Sequence, residues 1–250
     1  MHVVILGGNS GIGAALTTHY LSRGETVSVF SRAALAVEPA TAAPVTQQGS
    51  QQGLHQYLYQ PEQLEQDCAQ LQGSLAAVFS QPVDLVFCCL GLLHQHQLQP
   101  EKSLRQLSAA NLRQAFEVNT ILPALWLQAI WPWLTRSPQV KLCWLSAKVG
   151  SIGDNQSGGW HSYRASKAAL NMLVRGAAIE LKRQLPQATL VALHPGTTDT
   201  PMSAPFQRHL PAGQLQSPAA TAQRLATTVA ELTPAQHGAL LHWDGTVLPY

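Results

Sequence analysis

Val3-Val4-Ile5-Leu6-Gly7-Gly8-Asn9-Ser10-Gly11-Ile12-Gly13 stands near the start of the chain, and the rest is read outward from it. The apolar run fits a buried strand, and the pattern G-x-x-x-G-x-G follows it directly. The next stretch, Ile12–Arg23, carries apolar residues at helical spacing. Glycines at a strand-to-helix turn allow a tight bend and a close backbone approach. The helix N-terminus then offers free N–H groups to an anion. Strand, glycine turn and helix in this order form a cradle for a pyrophosphate. Its candidate contacts are Gly7, Asn9, Ser10, Gly11, Ile12 and Gly13.

Short apolar runs alternate with longer helical stretches along the whole chain. Strands are expected at Val3–Leu6, Thr26–Ser31, Val83–Leu90, Val140–Leu145, Thr189–Leu193 and Ala239–His242. Helices are expected near Ile12–Arg23, Pro61–Ser80, Leu104–Leu134, Ser162–Gln184 and Ser217–Leu232. Such alternation reads as βαβ units, whose right-handed crossovers put helices on both faces of a parallel sheet. The expected fold is α/β, a Rossmann-type doubly wound parallel sheet forming a single domain over residues 1–250. Residues 33–53, rich in Ala, Gln, Pro and Thr, read as a loose surface loop.

Composition narrows the function classes. Of 250 residues 46% are hydrophobic and 11% charged, with a net charge of +2, so no nucleic-acid partner is implied. No apolar run approaches the roughly 20 residues of a membrane helix, and Val3–Leu6 is too short for a signal peptide. The four cysteines, Cys68, Cys88, Cys89 and Cys143, lack metal-ligand spacing and read as reduced thiols of a cytoplasmic protein. His94 with His96 and His237 with His242 are close in sequence, but no acids complete a ligand set, so no metal is expected.

The second strand ends in Ser31-Arg32. An acidic residue there would accept hydrogen bonds from a ribose 2′-OH and repel a 2′-phosphate. Serine and arginine instead offer a donor and a cation, favouring NADP(H) over NAD(H). Further on, Tyr163-Arg164-Ala165-Ser166-Lys167 opens a long helix. A spacing of four puts tyrosine and lysine on one helical face. An ammonium beside a phenol favours the phenolate and makes tyrosine an acid or base usable near neutrality.

Taken together, the chain resembles the short-chain dehydrogenase/reductase family over essentially its whole length. The resemblance is carried by Gly7-x-x-x-Gly11-Ile12-Gly13, Asn119 in Phe-Glu-Val-Asn-Thr, Tyr163-x-x-x-Lys167 and His-Pro195-Gly196-x-x-x-Thr200. The stretch from Gly158 to Asn171 is most similar to the branch of C-factor-like proteins and sniffer-type carbonyl reductases. The resemblance implies that Tyr163 protonates a substrate carbonyl oxygen as hydride arrives from a nicotinamide. Lys167 would hold the ribose hydroxyls and lower the tyrosine pKa, and Asn119 would kink its helix and anchor a relay water. Pro195, Gly196, Thr198 and Thr200 would surround the nicotinamide carboxamide, and Gly91 would lie against the adenosine half. A small carbonyl or alcohol substrate is implied, with a substrate lid near residues 200–216 and a homodimer or homotetramer formed through Leu104–Leu134 and Ser162–Gln184.

Three departures stand out. The serine that polarises the carbonyl in this family falls on Ala147, next to Ser146 in Leu145-Ser146-Ala147-Lys148-Val149-Gly150-Ser151. Neighbouring strand side chains point to opposite faces, so Ser146 needs a twist or bulge to substitute, and Ser151 lies farther into the loop. Ser146 is taken here as the candidate. Cys88-Cys89-Leu90-Gly91 replaces Asn-Asn-Ala-Gly, and no aspartate follows the third strand around Leu58-Tyr59-Gln60. The expected function is NADP(H)-dependent hydride transfer. A dinucleotide-binding regulatory protein with vestigial catalysis is the alternative, motivated by Ala147.

Overall fold

The computed structural model describes residues 1–9, 11–35, 53–65, 69–95 and 98–250. Ser10, Cys68, His96 and residues 36–52 of the loop expected over 33–53 lie outside the described residues. The strands are β1 (His2–Leu6), β2 (Thr26–Ser31), β3 (Leu54–Leu58), β4 (Leu85–Cys88), β5 (Lys141–Leu145), β6 (Thr189–His194), β7 (Thr197–Thr198), β8 (Leu215–Gln216), β9 (Leu240–His242) and β10 (Val247–Leu248). Eight of them make one sheet in the order β10-β9-β6-β5-β4-β1-β2-β3, and β7 pairs with β8. Every pairing in the large sheet is parallel except β9 with β10.

Strand periodicity sorts the core into two layers. Val4 and Leu6 of β1, Val86 and Cys88 of β4, and Leu142 and Trp144 of β5 point to one face. Val3 and Ile5, Leu85 and Phe87, and Cys143 and Leu145 point to the other. Both faces are covered, so these strands read as unbroken apolar runs rather than alternating ones. The helices are α1 (Gly11–Leu21), α2 (Glu62–Glu65), α3 (Ala69–Val78), α4 (Ala109–Phe116), α5 (Leu122–Ile130), α6 (His161–Gln184) and α7 (Pro218–Glu231). Leu71 and Leu75 of α3, Trp126 of α5, and Leu170 and Val174 of α6 close the first face. Leu16 and Tyr20 of α1, with Leu225 and Val229 of α7, close the second.

The sheet's order reverses between β1 and β4, where crossovers leave to opposite sides. A crevice opens there over the C-terminal strand ends.

Expectation and structure part in three places. The helix expected over Leu104–Leu134 is several pieces: α4 begins at the Ser108 cap, a π-helical turn spans Glu117–Ile121, and α5 ends in a 3-10 stretch at Trp131–Arg136. Pro123 sits in the first turn of α5 and Pro132 in that of the 3-10 stretch, where a missing N–H costs little. The helix expected over Pro61–Ser80 appears as α2 and α3. Edge strand β3, Leu-His-Gln-Tyr-Leu, is absent from the strands expected on apolar pattern and is placed only by the resemblance, as a third strand ending near Leu58; its full length pairs with β2. No helix of the described residues is long and apolar enough to cross a membrane.

Candidate active site

The crevice has two ends: the glycine turn, the candidate nucleotide end, and the Tyr163/Lys167 pair, the candidate reacting end. At the first, the Gly7 N–H donates to Phe30 O at 2.8 Å, tying the glycine turn to β2. A Cβ on Gly13 would lie 2.2 Å from Gly7 O, so α1 can start against the strand end only with glycine there. Asn9 is exposed, and Ile12 packs beneath the turn on the α1 side of the core. Gly11 faces Thr200, whose Cγ2 would lie 3.4 Å from an added Cβ, so the chain after β7 reaches back to the turn. Ser31 is buried, and its hydroxyl donates to Ala33 O at 2.7 Å, whereas Arg32 is exposed. Of this pair, the arginine presents its cation outward.

At the reacting end, Lys167 lies one turn beyond Tyr163 on α6 and is 3% exposed. Its Nζ donates to Leu145 O at 3.0 Å. An ammonium has three N–H donors, and among the described residues this is the one hydrogen bond it makes. A methyl added to Gly91 would lie 3.6 Å from both Lys167 Nζ and Asn119 Oδ1, and 3.7 Å from Met202 Cε. The absent side chain therefore leaves open a corner onto which a buried cation with spare donors faces. This corner and the glycine turn fit an extended dinucleotide whose phosphates and ribose hydroxyls need such donors.

Asn119 occupies the π-helical turn and is fully buried. Its Oδ1 accepts from Leu92 N at 2.7 Å, and its Nδ2 donates to Leu92 O at 2.8 Å and to Ser166 Oγ at 3.1 Å. Thr120 Oγ1 donates to Ser166 O at 2.7 Å. Besides any role with water, the Asn119 side chain is a strut between the loop after β4 and the helix carrying Tyr163.

Burial governs the electrostatics. It pushes the Tyr163 phenol up to about 12. It pulls the Lys167 amine down to about 8, against the smaller opposing pull of the Cys88 and Cys89 thiols. The sequence leads one to expect lysine to lower the tyrosine. In the chain by itself burial is the main cause of both shifts, because the charged form of each group is the one that burial disfavours.

The hydroxyl partner of Tyr163 is the weak point of the site. Ala147 is buried and supplies none. The Ser146 N–H continues the ladder to Leu193 O at 2.9 Å, while its hydroxyl donates to Asn171 Oδ1 at 2.6 Å. Ser146 thus faces α6, like Trp144 two residues earlier, and its proton is committed. Ser151 is also buried, but its Oγ accepts from Asp154 N at 3.1 Å and its own proton has no acceptor among the described residues.

An apolar wall rises beside Tyr163. The Trp160 ring centroid lies 6.3 Å from that of Tyr163 and 5.1 Å from that of Phe206, both edge-on. Phe206 meets His94 at 5.6 Å, and His94 Nε2 donates to Pro201 O at 3.1 Å. Sequence reasoning singled out none of Trp160, Met202 or Phe206 individually. They come from two distant segments, Met202 and Phe206 inside the lid that the resemblance implies near 200–216 and Trp160 ahead of the Tyr163 helix. Pro195 and Gly196 follow β6, and Gly196 packs where a Cβ would lie 3.0 Å from the Trp243 ring. Thr198 Oγ1 pairs with Thr221 Oγ1 at 2.9 Å, holding β7 to α7.

The chain is 28% identical over 254 residues to a 1-hydroxy-2-glutathionyl-2-methyl-3-butene dehydrogenase from Rhodococcus sp., covering 99% of each chain. The carbonyl reductase Sniffer of D. melanogaster superposes with a TM-score of 0.79 at 18% identity, covering 100% of this chain and 99% of that one. An NADPH-bound carbonyl reductase from chicken fatty liver gives 0.76 at 23% identity, covering 100% and 98%. The short chain dehydrogenase family model matches residues 1–211. A match of that extent, over the glycine turn, Asn119 and the Tyr163/Lys167 pair, means that the chain belongs to the short-chain dehydrogenase family of oxidoreductases.

Proposed function

We propose that this protein transfers hydride between NADP(H) and a carbonyl or alcohol substrate, with Tyr163 as general acid and base. The observation carrying the reading is the Lys167 amine, buried one turn from Tyr163, with one hydrogen-bond partner among the described residues and facing the corner left by Gly91. Bound NADP(H) supplies or accepts the hydride. Tyr163 gives its proton to the carbonyl oxygen on reduction and recovers it on oxidation. Lys167, charged when its spare donors meet ribose hydroxyls, draws the phenol down from the value that burial gives it. Arg32 meets the 2′-phosphate, a preference in keeping with the NADPH held by the chicken carbonyl reductase.

Residues 200–216 act as the substrate lid, with Phe206 and Met202 presenting its apolar face. Free Cys88, Cys89 and Cys143 suit a reducing cytoplasm. Exposed Met172, Leu173 and Ile179 on α6 support a homodimer or homotetramer.

The test is NADPH oxidation against a panel of aldehydes and ketones, with Tyr163→Phe as control. The variant should lose roughly 10²–10⁴-fold in kcat while binding NADPH as the native chain does. Equal rates would end the reading. A second reading, favoured by Ala147, is a dinucleotide-binding regulatory protein with vestigial catalysis. It requires NADPH binding with no turnover across the whole panel.

A further inference from the structure

The residues just before Tyr163 adopt a conformation they would not choose. Gly158, Gly159 and Trp160 have φ of 62°, 65° and 49°, and Trp160 is the one non-glycine residue of positive φ among the described residues. For such a residue the left-handed region is disfavoured, because its Cβ crowds the following carbonyl oxygen. Helix α6 also has no side-chain cap at its N-terminal residue Trp160. Its first amides nonetheless point into a buried region, where unsatisfied donors are costly.

Both demands are met from elsewhere in the chain. Glu101, 2% exposed, lies in the loop between β4 and α4. Its Oε2 accepts the Ser162 N–H at 3.1 Å and its Oε1 accepts the Ser162 hydroxyl. Its carbonyl oxygen accepts the Trp160 N–H. Gly159 packs so closely on the same carbonyl that a Cβ would lie 3.3 Å away. Burial alone would raise the Glu101 pKa. The Ser162 hydroxyl and N–H, its own N–H and His161 outweigh that and hold it below the usual carboxylate range.

We infer that Glu101 is a positioning residue for the reacting centre: its carboxylate and carbonyl clamp Trp160–Ser162, and so fix the Tyr163 phenol and the Trp160 wall. The inference rests on the proposed role of Tyr163. Its effect is local because α6 has 24 residues and is held to the sheet by Leu170, Val174, Ala178 and Leu181. Losing one cap costs little against that packing. The loosened turn, however, is the one that carries the phenol.

Two substitutions separate clamp from charge. Glu101→Gln keeps both contacts, since its carbonyl can accept the Ser162 N–H and its amide can donate to the Ser162 hydroxyl. Glu101→Ala keeps neither. Glu101→Ala should lower kcat about 10²-fold, with KM and NADPH affinity within about threefold of native. Glu101→Gln should return to within about fivefold of native. Amide exchange should quicken over residues 159–164 in Glu101→Ala and stay unchanged over 170–181. Should Glu101→Ala not fold, Ser162→Ala removes one contact and is expected to lose about tenfold.

The inference is overturned by an alanine variant of native kcat, by a glutamine variant as impaired as alanine, or by unaltered exchange. Absence of turnover in the native protein would sink the hydride-transfer reading instead, and the exchange measurement would still decide the clamp.

Discussion

Gly13 and Tyr163 face the same crevice and are held there by opposite means. Gly13 is set by its own neighbourhood: β1, the turn and α1 are contiguous, and the tightest contact is with Gly7, six positions away. Tyr163 is set by remote segments. Its helix is clamped by Glu101, strutted by Asn119, and anchored through Lys167 to Leu145 O. The glycine turn is built from contiguous backbone, with one tie to β2 through the Gly7 N–H and one approach from Thr200. A site assembled from four segments can lose one polar member, as at Ala147, while the others keep their places. The reacting end is therefore the one expected to drift chemically while the nucleotide end stays the same.

The strongest way to sharpen this contrast is to restore the missing hydroxyl. Ala147→Ser adds one oxygen at the end of β5, beside a chain already organised for reaction. A donor aimed at a developing oxyanion is worth roughly 10²–10³-fold. We expect kcat to rise by at least about tenfold, with NADPH affinity unchanged, because the added hydroxyl follows β5 whereas the glycine turn follows β1 and Arg32 follows β2. An unchanged rate would mean that Ser151 already fills the role, and Ser151→Ala would then be the variant that falls.

The same contrast explains what could be read in the sequence. The glycine turn, both central strands and the Tyr163/Lys167 pair were legible because strand period, turn chemistry and helical spacing are local. Glu101 was not, because 61 residues separate it from Ser162 and nothing near Glu101 marks it as a cap. Edge strand β3 is missing from the strands expected on apolar pattern because His55 and Gln56 interrupt its apolar residues, and at the sheet edge His55 and Leu58 are exposed, one on each face. The break in the long helix at Asn119 was read only as a kink, since the π-helical turn comes from its ties to Leu92 and Ser166. Ser146 was chosen by proximity to Ala147. Period-two geometry sends it to Asn171 on α6.

A smaller effect probes the nucleotide end. Arg32 is exposed at the end of β2, while Ser31 spends its hydroxyl on Ala33 O. If the cation alone reads the 2′-phosphate, Arg32→Ala should weaken NADPH about tenfold and leave NADH as it was, the size of one charge-assisted contact at a surface. Parallel titrations decide it, and equal losses for both nucleotides would remove Arg32 from the assignment.

The smallest effect concerns stability and belongs to the reacting end. In the chain without nucleotide, burial lowers Lys167 to about 8 and raises Tyr163 to about 12. Between pH 8 and the ordinary lysine range, the unfolded chain still holds the Lys167 proton that the folded chain has lost. The unfolded state then binds more protons, so stability rises with pH through that window. Above the ordinary tyrosine range of about 10 the sign reverses, since the folded chain keeps a phenol proton that the unfolded chain gives up. Lys167→Met should therefore abolish activity yet melt higher than native at neutral pH, by about 2–4 °C for each kcal/mol of relieved desolvation. It should also lose the rise between pH 8 and 10. Thermal melts across pH measure both. A lower melting temperature for Lys167→Met at neutral pH would show that the bond to Leu145 O outweighs the burial of the charge. The reacting end would then be built for stability as the glycine turn is, and the contrast between the two ends would fail.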